Sequence, residues 1–345
     1  MANFITDQIA SLRKSMPQPV DEIAFQASVN QLLARNKDVP HGDYILHQAF
    51  NYNGSNLWFV DGPVFVAPVS QAASPTLIWS DDFTSLDLAS ASNPNGAWRP
   101  NSIWQDLAKG YYDFAGSSWN INPNDAAPFP SHNPFSTSNS VLTIQAFHTP
   151  SDLTTPIQTE MTAQGVPNAV PAWCGGFLVT NSAVRKFKYG YFEYRAQWPN
   201  PGKGIFPALW LFASEGSNDV LNKGNAEIDV FEMFGASNLW TTSLHMRDNS
   251  GVGTDVTIGS RSEDTAGWHT YGIDWQPTYL RFYRDNVLVY EVTGSNAAYY
   301  NTTMNIIINF SMDASWFSSG LKSDGTTPSP MNMNIDYVRV YTSKP

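Results

Sequence analysis

Three carboxylates, Glu227, Asp229 and Glu232, fall within six residues of an otherwise apolar run, AEIDVFEMFG (226–235). Unpartnered carboxylates are costly in apolar surroundings. The neighbouring Ile228, Val230, Met233 and Phe234 argue against a solvated acidic face, which is the plain alternative. Crowded carboxylates raise the pKa of at least one member, so one can hold a proton while another stays an ionised nucleophile. That is the equipment for cleaving a bond with an acid on one side and a nucleophile on the other.

Side chains alternate along a strand, so Glu227 and Asp229 share a face with Phe231, and Glu232 falls on the opposite face. A β-bulge absorbs one residue and re-aims the side chain beyond it. With a bulge, all three acids reach one groove. Glycoside hydrolysis uses such a pair, and a separation of about 5 to 5.5 Å between the working carboxyls goes with retention through a covalent intermediate.

The elements that must position these acids read as β-structure. The 345 residues are 14% aromatic and only 14% charged, enough for one large all-β domain with an extension or for two ordinary domains. From Leu77 onward, β-branched and aromatic runs alternate with Gly, Pro, Asn and Ser clusters, without βαβ alternation. This predicts an all-β jelly-roll sandwich of two antiparallel curved sheets, with a concave cleft for a long ligand. Trp and Tyr faces suit sugar rings. Earlier, Phe4, Ile5, Ile9 and Leu12, then Ile23, Ala24, Val29, Leu32 and Leu33, recur at helical spacing and predict two short amphipathic helices. The Gly- and Pro-broken passage 51–75 reads as a linker, with LWFV and VFVAP as a small β segment. The expected division is 1–75, an extension serving as a cap or as an oligomerisation or anchoring arm, and 76–345, the catalytic sandwich.

The bulged acidic run resembles the catalytic signature of glycoside hydrolase family 16, which includes laminarinases, agarases and carrageenases. GGFLVTNSAVRKFKYGYFEYRAQWPNPGKGIFPALWLF (175–212) is similar to the family's strands leading into a Trp-bearing strand ahead of the catalytic one. WHTYGIDWQPTYLRFYRDNVLVYEV (268–292) is similar to its hairpin, and MNIIINF (304–310) and MNMNIDYVRVY (331–341) to its last two strands. The resemblance spans about 77–342. It implies that Glu227 is the nucleophile, Glu232 the general acid/base, and Asp229 a helper that keeps the pair aligned. It also implies endo-hydrolysis with retention, leaving transglycosylation open because the same intermediate serves both.

For sugar binding, the resemblance places Trp210 of PALWLF in the cleft, core packing being the other reading, and His245 of TSLHM on the strand after the acids. Trp104 and Trp119 lie in a Gly-, Asn- and Ser-rich region expected to form loops over the groove, as stacking aromatics or as core. Asn309 is either a sugar contact or a satisfied buried amide. Trp268 and Trp275 read as core. No cofactor is implied beyond a structural calcium that some family members hold near the last strand, where Asp336 lies, and no residues show metal-ligand spacing.

A formal charge of −11 argues against nucleic acid, an anionic membrane or a heavily sulfated glycan as partner. The expected substrate is a neutral or lightly charged polysaccharide: β-1,3-glucan, or a bacterial exopolysaccharide with β-linked glucose or galactose. The N-terminus shows no apolar core of a Sec signal peptide, and no run approaches the eighteen apolar residues of a membrane span. The expectation is a soluble protein acting outside the cell or at a surface. The lone Cys174 reads as an inert buried thiol at the head of a strand. Two alternatives are a non-catalytic glycan-binding sandwich and a depolymerase mounted on a larger particle through residues 1–75, by self-association or by docking to a foreign partner.

Overall fold

The computed structural model describes residues 45–52, 55–61, 74–103, 105–113, 115–166, 168–199, 202–213, 226–235, 239–247, 253–262, 265 and 267–345. The helices expected within 1–33 lie outside the described residues. The backbone divides after Ser74. In the first unit an antiparallel hairpin joins β1 (Ile45–Tyr52) to β2 (Ser55–Asp61), the latter containing LWFV.

The second unit carries the strands β3 (Leu77–Asp81), β4 (Trp98–Arg99), β5 (Tyr111–Asp113), β6 (Ser118–Asn120), β7 (Phe135–Ser138) and β8 (Val141–His148). There follow β9 (Trp173–Thr180), β10 (Gly190–Gln197), β11 (Ile205–Ala213), β12 (Glu227–Met233), β13 (Leu239–Arg247) and β14 (Gly253–Ser262). The last five are β15 (His269–Gln276), β16 (Tyr279–Arg284), β17 (Val287–Thr293), β18 (Met304–Met312) and β19 (Met331–Tyr341). One antiparallel sheet runs β4-β9-β18-β11-β12-β13-β14. The other runs β17-β16-β15-β10-β19, with β3 and β8 both pairing along β19 and β7 on β8. A short β8–β9 pairing joins them. This is the expected sandwich, except that 268–292 forms three strands rather than a hairpin.

Alternation along the strands builds the core between the sheets. From the first sheet come Leu178, Leu209, Leu211, Ile228, Phe231, Ile306 and Ile308; from the second, Phe192, Tyr194, Ile273, Trp275, Val338 and Val340. Each large apolar side chain fully buried here contributes roughly 1.5–3 kcal/mol. Trp275 is wholly buried as expected, its indole N–H donating to Tyr300 O at 2.7 Å. Trp268 is only half-buried, beneath the Arg195 guanidinium at 4.9 Å.

The stretches 97–134 and 149–172 hold more order than loops. They contain β4, β5 and β6, a 3-10 turn at Phe129–His132 and the helix α1 (Thr154–Ala163). Pro156 lies in the first turn of α1, where a missing N–H costs nothing. Ile157 and Met161, one turn apart, seal a second core with Tyr112, Trp119, Ile121, Phe129 and Cys174. Trp119 therefore is fully buried, ring centroid 6.4 Å from that of Phe129, and does not stand over the groove. Burial also pushes the Cys174 thiol up to about 12, consistent with an inert side chain.

Candidate active site

The site is built on β12, and its geometry follows from one extra residue. Toward β11, Leu209 pairs with Phe231 but the next residue, Trp210, pairs with Asp229, so Val230 is skipped. Toward β13, Asp229 faces Ser243 and Glu232 faces Thr241, leaving Val230 and Phe231 opposite Thr242 alone. The Thr242 hydroxyl donates to the Val230 carbonyl at 3.1 Å and ties the bulge down. Phe231 is thereby turned into the core, where its ring stacks on Trp198 at 3.9 Å. Glu232 comes to the face already occupied by Glu227 and Asp229. The even spacing of two residues, then an odd three, is what requires the bulge.

The three acids differ in surroundings. Glu227 is half-buried and lies across from His245, whereas Asp229 and Glu232 are buried. His245 Nε2 is 3.0 Å from Asp229 Oδ2. Among the described residues, the donor atoms of Glu227, Asp229 and His245 form a group all within 4.8 Å of one another. Burial, and then the charges of Asp229 and Glu227, push the Glu232 carboxyl well above the ordinary carboxylate range. His245 and a hydrogen bond from Ser243 work against that rise. Glu232 thus favours the protonated form beside carboxylates, as an acid requires.

Trp210 is half-buried on the same face, between Phe177 and Phe212, both edge-on with ring centroids 6.0 and 5.8 Å away. Its indole N–H donates to Asn309 Oδ1 at 2.8 Å. Asn309 is 3% exposed, and its amide also donates to Ser311 Oγ at 3.1 Å. Of its two readings, the satisfied buried amide describes the geometry: Asn309 backs Trp210. Trp104 lies outside the described residues.

Tyr111 belongs to this site and sequence reasoning missed it. It packs edge-on against Phe177 at 5.4 Å. Burial raises its hydroxyl pKa, and the charges of Asp113 and Glu227 add to the rise, so a neutral phenol stands near Glu227. Nothing local marks it, because β5 is brought to the cleft by partners far along the chain. Asp336, on the last strand near which some family members hold a structural calcium, is ion-paired with Arg195.

The model of a family described as glycosyl hydrolases family 16 matches residues 145–339. The chain is 29% identical over 266 residues to the Endo-1,3-1,4-beta-glycanase ExsH and 29% identical over 276 residues to the Endo-1,3-1,4-beta-glycanase EglC, both of Rhizobium meliloti (strain 1021). Those matches cover 76% and 77% of this chain and 51% and 52% of the relatives, so the chain spans about half their length. Among solved structures, it is similar to a point mutant of SCLam, a non-specific endo-beta-1,3(4)-glucanase from family GH16, with a TM-score of 0.57, 21% identity and coverage of 78% of this chain and 95% of that one. It is also similar to the catalytic domain of an endo-1,3-beta-glucanase (laminarinase) of Thermotoga petrophila RKU-1, with a TM-score of 0.53, 20% identity and coverage of 79% and 99%. These two likenesses carry the fold.

Proposed function

Because the chain belongs to glycosyl hydrolase family 16, we propose that it is a retaining endo-glycosidase that hydrolyses internal β-glycosidic bonds of a polysaccharide. The observation that carries this reading is the bulge at Val230, which sets Glu227, Asp229 and Glu232 on one face with the Glu232 carboxyl held toward its protonated form.

The Glu227 carboxylate attacks the anomeric carbon as the glycosidic C–O bond breaks, and the leaving oxygen takes the Glu232 proton. A water then bonds to that carbon, gives its proton to Glu232 and releases Glu227. Asp229, bonded to His245, keeps the pair aligned between the two steps. The residues supply both proton and nucleophile, so the reaction needs no cofactor. Trp210 offers a stacking face beside the acids.

The names of the two Rhizobium meliloti relatives favour a polysaccharide with β-1,3 and β-1,4 linkages as substrate. Such a polymer is met outside the cell or at a surface. Residues 1–75, which precede the sandwich of 76–345, are proposed as a cap or as an anchoring or oligomerisation arm. Among the described residues, no helix is long and apolar enough to cross a membrane. The test is product analysis on laminarin, mixed-linkage glucan, agarose, carrageenan and bacterial exopolysaccharides. Oligosaccharides from one polymer, absent with Glu227→Gln, support the reading; no products from any of them overturn it.

A further inference from the structure

We infer that Asp113, through Ser311 and Asn309, sets the orientation of the Trp210 indole at the cleft, which makes Asp113 a positioning residue for substrate binding. The inference rests on Trp210 facing sugar, as the proposed function requires. The four side chains form one directed chain of hydrogen bonds. Trp210 Nε1–H donates to Asn309 Oδ1, Asn309 Nδ2–H to Ser311 Oγ, and the Ser311 hydroxyl to Asp113 Oδ2.

The direction is dictated from the Asp113 end. Its Oδ1 accepts the backbone N–H groups of Ala115 and Gly116, both at 3.0 Å, and its Oδ2 faces Ser311. A carboxylate can only accept, so the single Ser311 proton goes to Asp113 and the Ser311 oxygen is left to accept. Asn309 must then turn its NH2 toward Ser311 and its carbonyl toward Trp210. An indole can only donate, so this is the one amide orientation that holds it. Asp113, Asn309 and Ser311 are all buried, where water does not substitute for a missing partner. The turn closes tightly over the relay: a Cβ on Gly116 would lie 2.4 Å from Ser311 Cβ and 2.8 Å from Asp113 Oδ2.

Replacing Asp113 with asparagine keeps the shape and reverses the logic. The two backbone donors hold the amide oxygen, so the new NH2 faces Ser311. The Ser311 oxygen then accepts from that NH2, and its proton, deprived of Asp113, competes for Asn309 Oδ1, the atom that holds the indole. That competition loosens the anchor of Trp210. The experiment uses the full chain with 15N-labelled tryptophan, the Trp210 indole resonance being assigned by its absence in Trp210→Phe. In Asp113→Asn, that resonance moves upfield, its N–H exchanges with solvent about tenfold faster, and KM for laminarin rises about tenfold with kcat within about twofold. In a Trp210→Phe background, Asp113→Asn adds nothing to KM.

An unmoved indole resonance in Asp113→Asn, or an equal KM effect without the Trp210 indole, overturns the inference. Should Asp113→Asn fail to fold by circular dichroism, Ser311→Ala cuts the same chain: a shifted indole resonance with raised KM supports the relay, and an unmoved resonance overturns it. A wild-type protein that cleaves none of the polysaccharides overturns the proposed activity alone, because the indole resonance still decides the relay.

Discussion

Two buried groups of carboxylates in this fold are arranged in opposite ways. Beside α1, Asp125 and Glu160 share a cation: Lys109 Nζ lies 3.0 Å from Asp125 Oδ1 and 2.8 Å from Glu160 Oε1. Both carboxylates raise the lysine pKa, chiefly through these hydrogen bonds, Glu160 the more strongly. Burial and Asp125 push Glu160 up to about 7, while Lys109 pulls it back. On β12, the carboxylates crowd one another, with the His245 imidazole 3.0 Å from Asp229. A cation between acids holds two segments together; acids that crowd one another leave a proton poised to move. The first arrangement suits stability and the second suits chemistry.

Substitutions that convert one arrangement toward the other test the contrast, and the largest effect is expected at Glu227. Glu227→Gln should lower kcat by at least about 10⁴-fold, because a nucleophile and its partner act as a unit, while thermal stability stays level or rises. Steady-state kinetics and a melting curve on the same preparation check this.

Glu232→Gln should lower kcat by about 10²- to 10⁴-fold, the range for a general acid. It should also stabilise the fold in a pH-dependent way. The Glu232 pKa is raised in the folded protein from an ordinary value of 4.5, so above that pH the unfolded chain releases a proton that the folded one retains. Wild-type stability therefore falls as pH rises from 4.5 toward the folded pKa, at about 1.4 kcal/mol per unit. The glutamine variant lacks that slope. Denaturation at about pH 4 and about pH 7 should show little difference between the proteins at the first and a more stable variant at the second.

Lys109→Met should act in the reverse sense. It leaves two carboxylates facing each other, at a cost of about 2 kcal/mol, less than for a fully buried pair because the Lys109 side chain is 45% exposed. Urea midpoints should fall while kcat per folded molecule changes by less than about twofold. The smallest effect is expected for His245→Gln, which keeps a donor toward Asp229 but removes the chargeable ring. A fall in kcat of about tenfold or less, with a shifted acidic limb of the pH–rate profile, would place His245 as a support of Asp229.

What was legible in the sequence was what a strand shows locally. The step of two and then three between Glu227, Asp229 and Glu232 conflicts with a period of two and calls for the bulge that the β11 and β13 registers display. β-branched and aromatic runs likewise indicated strands from Leu77 onward, although 268–292, read as a hairpin, forms three of them. The N-terminal side of the cleft was less legible. Trp119 sits among Ser and Asn residues that suggest a loop, yet β6 pairs in parallel with β9 and α1 covers it. The helix itself, TTPIQTEMTA, has too few apolar residues to announce a face. Asp113 and Ser311 are 198 positions apart and meet only after β5 and β18 are in place. One trace was present: Asn305, Asn309 and Ser311 are polar positions in an otherwise apolar β18, all buried and all bonded.

In the proposed mechanism, the Val230 bulge places a nucleophile and an acid on the same cleft for retaining hydrolysis. The most direct measurement follows the anomeric protons of the first product by time-resolved NMR, using laminarin and the wild-type enzyme. Appearance of the β-anomer first, with the α-anomer growing in only by mutarotation, is the predicted result. An α-anomer formed first would mean direct displacement by water, and would contradict the role of Glu227 as nucleophile.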